Sequence, residues 1–579
     1  MKNYLFIIIF FLFACSDQKI SDKEKLSEDQ NLKIKNYIIE QVAQQKSVNL
    51  KATFGKNLRG LKLTSVNLSK EDLSDVDLTG SQLTRVNFTG ANFDRVKLNK
   101  AVIQESDFSD VKFNNLNAQG VDFQASIFIN TTFNNVNFSY TNMEETDLSN
   151  AKINNSRFDG VSLTRAIIKN AEIKNVNFQK AISVNVNFTG SKIEVGTFFG
   201  ADMRKSNLSQ TQIKDSSFES SDLSNITASE ANFTNTDFSQ SIIDEGNLNN
   251  SKFIYANFSD ASIKKGTLKD IFFDKSTFSN TNLNNTNFVN VSFQDGVLNN
   301  VKFAGVQIDK IYFDNMKATE NIFDKALIKN MKITNSTFRN SIFSNEQASK
   351  LNLINVDFVG TLFDLYKLED SSFTKTDLSK VIFKDTKIYR TIFDNALMTQ
   401  IAMIKCDLQS ITLNNSPIQY SQLRDLNNVA MIMISSSLTN NVMINNKGFE
   451  KIISSSSIIM DDIISSKDWT NMNLAFLDFS GVNVEQVVLK NTILKGANFT
   501  NSSLRSCLML DVDFSDSNLY KTNFQGSNII RTSFNSAKMN GTNLDNTILE
   551  DIDFSKALIK DIIFNNAQLK NVIGIDLKQ

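Results

Sequence analysis

Ala91-Asn92-Phe93-Asp94-Arg95-Val96-Lys97-Leu98-Asn99-Lys100 opens a stretch that continues in fives through Phe108, Phe113, Phe123, Phe128, Phe133 and Phe138. A large apolar residue returns at every fifth place, and a small or β-branched one stands two places before it. A helix would repeat every 3.6 residues and a strand every 2, so neither period accounts for it. A strict period of five requires one local bend made again and again, which is the signature of a solenoid.

Working outward, the same register runs from Leu58, through Leu63, Leu68, Leu73, Leu78, Leu83 and Phe88, to about Leu413. It resumes one residue later, from Leu474 and Phe479 through Phe499, Phe514, Phe524, Phe534, Phe554 and Phe564 to Leu569. Of the 47 Phe residues 38 sit on this beat, which chance placement cannot produce. A slower period gives the size of one coil. Every twentieth residue reads Phe138, Phe158, Phe178, Phe198, Phe218, Phe238, Phe258 and Phe278. A second column runs Ile153, Ile173, Ile193, Ile213, then Phe233 to Phe313, and a third runs Phe303 to Phe383. Like over like at twenty means four pentads per coil, and stacked rings gain contacts beyond their burial. The expected object is an all-β, four-sided solenoid with these Phe columns as its structural core.

The triplets Ala91-Asn92-Phe93, Val121-Asp122-Phe123, Ala201-Asp202-Met203 and Ala497-Asn498-Phe499 resemble the pentapeptide-repeat family, whose pattern is a small residue, Asp or Asn, Leu or Phe, and two variable places. The resemblance covers about nine-tenths of the chain. It implies a right-handed quadrilateral β-helix and says little about activity, because a fold does not carry chemistry by itself.

Composition narrows the function. The formal net charge is -1, from 61 basic and 62 acidic residues, a balance that neither attracts nucleic acid nor imitates it. There is no His in the 579 residues, which removes the commonest general base and metal ligand. Cys406 and Cys507 fall two places before beat residues, in the small inward slot, and about five coils apart. At ~4.8 Å per coil they cannot form a disulfide, and they read as buried small hydrophobes.

In chain order, residues 1–14 read as a lipoprotein signal peptide, with Lys2 ahead of about ten apolar residues where ~20 are needed to span a bilayer. Leu12-Phe13-Ala14-Cys15 resembles a lipobox in which Cys15 takes the lipid, and by that resemblance Ser16 favours the outer membrane. An ordinary secretory signal with an incidental Cys is the alternative. Residues 15–30 form a polar tether. Residues 31–50 hold a capping helix, near 31–46, with Ile34, Ile38 and Val42 on one face and a capping box at Ser27–Gln30. A partner-binding helix is the sharper alternative to a cap. Residues 51–415 are the first solenoid, whose corners, two places after the beat, carry Gly or Asn. One corner column reads Asn115, Asn135, Asn155 and Asn175, then Val195, Asp215 and Asn235, which stacking explains as well as a binding stripe would. Asn345–Ala348 is a candidate bulged or helical corner. Residues 416–470 are a degenerate stretch or insertion, between Pro417 and Trp469, that must absorb the one-residue slip. Residues 471–579 are the second solenoid.

No catalytic residue, metal site or cofactor is expected: no phosphate loop, CxxC pair or calcium nonapeptide occurs. The expected function is a non-catalytic, lipid-anchored scaffold at the cell envelope, held to the membrane through Cys15 and meeting a protein partner, with no nucleic acid. The alternatives are a DNA-mimicking topoisomerase-protection protein, opposed by the charge and the export signal, and an envelope enzyme using surface carboxylates.

Overall fold

The computed structural model describes residues 25–344, 347–436, 438–439, 441–444, 453–454, 467–470, 474–475 and 477–575. Beyond two helices near its start, α1 (Glu28–Ala43) and α2 (Leu50–Phe54), the described chain is built of short parallel strands. Each strand pairs with the one twenty residues on. Phe113 lies opposite Phe133, and Phe133 opposite Ile153. Four pentads therefore complete a coil, and the fold is an all-β, four-sided parallel β-solenoid. Its coils fall into two compact units, Met1–Asp237 and Phe238–Gln579.

Three residues suffice for most sides because the middle one points inward and its neighbours outward, as in Lys112–Asn114 and Lys152–Asn154. The chain then has to turn, and the residue two places after the beat does so in the left-handed region, as at Asn115 (φ 53°) and Lys70 (φ 59°). Gly160 takes such a corner with a neighbouring side chain close by. Its φ is 64°, and a Cβ there would lie 2.6 Å from the ring of Tyr140 on the preceding coil.

Inside the first unit the rings of Phe138, Phe158, Phe178, Phe198 and Phe218 follow one another at 4.9, 5.0, 4.8 and 4.6 Å between centroids. Inside the second, Phe238, Phe258 and Phe278 do so at 5.0 and 4.8 Å. All eight are buried. Each contributes roughly 2–3 kcal/mol of burial. Where the slot two places earlier carries Ser or Thr, its hydroxyl bonds backbone of neighbouring coils: Ser126 Oγ accepts from Ser106 N (3.1 Å) and donates to Ile103 O (2.9 Å). Cys406 copies this, its buried thiol donating to Phe383 O at 3.4 Å, and burial pushes its pKa up to about 12. Burial raises the pKa of Cys507 as well.

The first coil is covered by α1. Ser27 and Gln30 form the expected capping box, so the helix starts at Glu28 and ends at Ala43, earlier than the 31–46 reading. Ile34 and Ile38 are buried, but Val42 is 42% exposed, because the helix ends a turn beyond the coil it covers. Asn31 does what a missing coil would do: its Oδ1 accepts Lys62 N at 2.6 Å, and Leu26 N donates to Arg59 O at 2.9 Å. The edge is thereby closed to other strands.

Glu71 occupies an inward slot in the same region, 3% exposed, and its Oε1 accepts Leu50 N at 2.6 Å. Burial raises its pKa to about 7, against the opposing pull of the Leu50 amide, with the Asp72 charge raising it further. The folded state thus holds this proton more tightly than the unfolded one. Its contribution is fully present below about pH 4.5 and is lost as pH rises through 7. We expect the capped end to lose about 2–3 kcal/mol between pH 5 and pH 8. Asp72 and Asp75, both lowered to about 2, have finished titrating before that window opens. Urea melts at the two pH values check this, since Glu71→Gln should remove the slope; equal slopes in both proteins would refute it.

In the 416–470 stretch the ladder still advances by twenty at first: Leu413 pairs with Met433, Ile418 with Leu438 and Leu423 with Met443. Then Ile432 pairs with Ile453 and Met433 with Ser454, a step of twenty-one. One extra residue therefore enters between Ile444 and Ile453. The left-handed corners move accordingly, to Gln486, Asn491 and Asn501. Lys447–Glu450 lies outside the described residues, as does Ser455–Ser457. Beyond it Trp469 is fully buried, stacks on Phe479 at 5.5 Å and heads a hydrophobic core of its own that continues to Phe554. The Asn345–Ala348 corner is described only in part, with Asn345 and Glu346 outside the described residues and Ala348 buried on the beat.

Candidate functional site

Three groups of outward side chains are first of all occupied by the coil. Asp or Asn one place before the beat folds back on its own turn. Asn92 Oδ1 accepts Asp94 N at 3.1 Å, Asp107 Oδ1 accepts Ser109 N at 2.8 Å and Asn498 Oδ1 accepts Thr500 N at 3.2 Å. These are Asx turns, and they give the physical reason for Asp or Asn in the repeat.

Corner side chains bond along the axis. Asn135 Nδ2 donates to Asn115 Oδ1 at 3.1 Å, Asn175 to Asn155 at 2.8 Å and Asn235 to Asp215 at 2.8 Å. Val195 interrupts this column with φ 57° and a 44% exposed side chain, an uncommon conformation for a β-branched residue. At these three rungs the Asn amides are used within the column.

Corner charges pair in the same direction. Arg95 meets Asp75 at 2.7 Å, Arg390 meets Asp370 at 2.5 Å and Arg531 meets Asp511 at 2.8 Å. The guanidinium hydrogen bond holds each of these carboxyls below its usual range. Such exposed pairs add little stability individually, but they cancel the local field coil by coil.

Two shallow grooves occur on the C-terminal coils. One, about 360 Å³, is lined by Arg531, Ser533, Asn535, Asp551, Asp553 and Lys556, with both signs of charge facing each other. The other, about 410 Å³, lies between Tyr520, Lys538, Asn540 and Leu558. Among the described residues no three His, Cys, Asp or Glu side chains gather as a metal site, and no helix is long and apolar enough to cross a membrane. The expected lipidation residue, Cys15, lies outside the described residues.

Some polar residues at work inside the tube have no sign in the five-residue beat. Asn321 and Asn441 occupy inward slots, fully or almost fully buried. Asn321 Oδ1 accepts Val301 N and its Nδ2 donates to Leu298 O, both at 3.0 Å. Asn441 does the same with Ser421 N and Ile418 O, at 2.9 and 2.8 Å.

Comparison with known proteins agrees with this geometry. The family model described as pentapeptide repeat region matches residues 103–182 and 246–323, and the one described as pentapeptide repeats (8 copies) matches 72–115, 470–505 and 507–546. No curated protein matches the chain. Solved structures similar to it include HetL, a pentapeptide-repeat protein involved in heterocyst differentiation regulation in the cyanobacterium Nostoc sp., at 19% identity. That match covers 40% of this chain and 92% of HetL, with a TM-score of 0.17. A pentapeptide-repeat protein of the Arabidopsis thaliana thylakoid lumen is also 19% identical, covering 19% of this chain and 70% of that one, TM-score 0.14. QnrB1, a plasmid-mediated fluoroquinolone resistance protein, is 13% identical, covering 43% and 92%, TM-score 0.16. Pentapeptide repeats, as these two family models describe them, thus run through residues 72–182, 246–323, 470–505 and 507–546, on the five-residue beat that builds the four-sided coil.

Proposed function

We propose that the protein is a non-catalytic, lipid-anchored solenoid that presents an extended protein-interaction or structural surface at the bacterial cell envelope, on the outer membrane. The observation that supports a presenting role most is the commitment of outward Asp, Asn and Arg side chains to their own turns and to adjacent coils. What such a surface offers a partner is a set of long, regular sheet faces. Anchoring is supported by Leu12-Phe13-Ala14-Cys15 and by the polar stretch that follows. Two or more acyl chains on Cys15 would hold the protein stably, since one chain gives only marginal attachment.

The competing reading, DNA mimicry against a type II topoisomerase, needs a dense acidic surface. A net charge of -1, with Asp75, Asp370 and Asp511 each paired to an Arg on the next coil, opposes it. Cys15→Ser tests the anchored reading. The variant should take up no labelled palmitate and should move almost wholly from the membrane to the soluble fraction. Unchanged labelling and fractionation would remove the lipid anchor from the proposal.

A further inference from the structure

One outward column differs from all the rest. The seven-stranded parallel sheet that starts at Ile322–Asp324 and continues through Ile342–Ser344, Leu362–Asp364, Ile382–Lys384, Ala402–Ile404 and Gln422–Arg424 to Val442–Ile444 carries an aliphatic residue at the same outward place on its first five strands. These are Ile322, Ile342, Leu362, Ile382 and Ala402, aligned by register. No other outward column among the described residues holds more than two in a row. Ile342 and Ile382 are exposed, and the other three are half-buried. Directly beneath, the rings of Phe323, Phe343, Phe363 and Phe383 stack nearly parallel at 4.5, 5.0 and 5.2 Å. A flat apolar sheet face is a surface that proteins ordinarily break up with charge.

The charges beside the stripe say what fits on it. The second outward place on these strands reads Asp324, Ser344, Asp364, Lys384, Ile404 and Arg424, acidic at one end and basic at the other. Reversing that order sets Asp324 against Arg424, and Asp364 against Lys384. A two-fold axis parallel to the strands, between the coils of Leu362 and Ile382, produces this reversal. It also sets Leu362 against Ile382 and Ile342 against Ala402 of the copy, as an isologous contact demands, with Ile322 meeting Gln422 at the rim. Within one chain Asp364 already meets Lys384 at 3.1 Å, so the two copies would share a four-charge cluster at the axis.

We propose that this sheet face is a self-association surface on which a second copy of the chain packs face to face, with its coils running in the opposite direction. Six strands at ~4.8 Å spacing and about 10 Å of width give roughly 300 Å² per copy. The total of about 600 Å² is half of what a stable dimer buries, so the association is weak and driven by concentration.

The test is sedimentation equilibrium of the full chain from about 10 μM to 1 mM, where a monomer–dimer Kd on the order of 100 μM is expected. Ile382→Lys should weaken it at least about tenfold, since it buries a charge against the opposing stripe. Arg424→Asp should weaken it about fivefold, and Asp324→Arg in the same chain should restore it to within about twofold. All three positions point outward, and matched circular-dichroism melts confirm that each variant folds. A monomer throughout the range would overturn the proposal, as would a dimer indifferent to Ile382→Lys or a charge swap that fails to restore. Binding to phosphatidylcholine vesicles, lost in Ile382→Lys without any dimer, would assign the face to lipid instead.

Discussion

Phe198→Ala is expected to cost about 3–5 kcal/mol, the range for removing a fully buried aromatic side chain. Phe198 is 0% exposed, with Phe178 and Phe218 stacked on either side at 4.8 and 4.6 Å and tilts of 5° and 3°. Removing the middle ring leaves a cavity that its neighbours cannot fill without leaving their own register. The slot two places earlier is already closed: Gly196 stands there because a Cβ would come within 2.8 Å of Ile193 and 3.0 Å of the Phe198 ring. A control lies next in sequence. Phe199 is off the beat and only half-buried, so Phe199→Ala should cost under about 1 kcal/mol. Because a solenoid couples only neighbouring coils, the loss should be local. Hydrogen exchange should speed up in the coils around residues 178–218 and much less elsewhere. Equal effects of the two substitutions on urea melts would show that the column does not carry the core.

The second large effect is expected at Asn321, where Asn321→Asp should cost about 3–5 kcal/mol at neutral pH. The shape is unchanged, but Leu298 O loses its donor and faces a carboxylate oxygen instead. The cost should be pH-dependent. Burial raises the folded pKa of the new acid above its unfolded value, so the protonated form is favoured in the tube and stability declines as pH rises from about 4. Asn321→Ser, which places there what Ser341 supplies on the next coil, should cost only about 1 kcal/mol. A variant as stable at pH 7.5 as at pH 4 would mean that the Leu298 bond is not needed.

These two positions mark what could and could not be read from the chain. Phe198 was legible because period and chemistry coincide: a large apolar residue at the fifth place has only the interior to go to. The corners were legible for the same reason, since a turn repeated at a fixed place has to fall in the left-handed region, even at Val195. Asn321, Asn441 and Glu71 were not legible. Each is a longer polar side chain in a slot that elsewhere takes mostly Ala, Val, Ser or Thr, and each is made tolerable by backbone groups of an adjacent segment, which stacking supplies and pattern does not record.

The coil at Leu365–Tyr366 shows the limit from the other side. The beat assigns position 366 to an inward slot, yet Tyr366 is 64% exposed and Leu365 is buried in its place. A phenol ring is too large for a slot that takes Ala or Ser. The backbone inverts locally, and Lys387 comes to rest 4.7 Å above the displaced ring. At the 416–470 stretch the need for one extra residue was plain from the shifted beat, but its place was not. It became plain only from the pairing of Ile432 with Ile453. For the outward faces, the beat gave the column of five aliphatics no distinction, because the repeat leaves those places free.

The lid that α1 forms over the first coil bears on how such a chain is born. The segment that blocks one edge of the sheet, through Asn31 on Lys62 and Leu26 on Arg59, precedes every described coil in the chain and is therefore made before them. Coils made later can add only at the growing end, each one templated by its predecessor. A nascent chain therefore offers one sticky edge to its surroundings at any moment instead of two, and that edge is renewed with every coil synthesised.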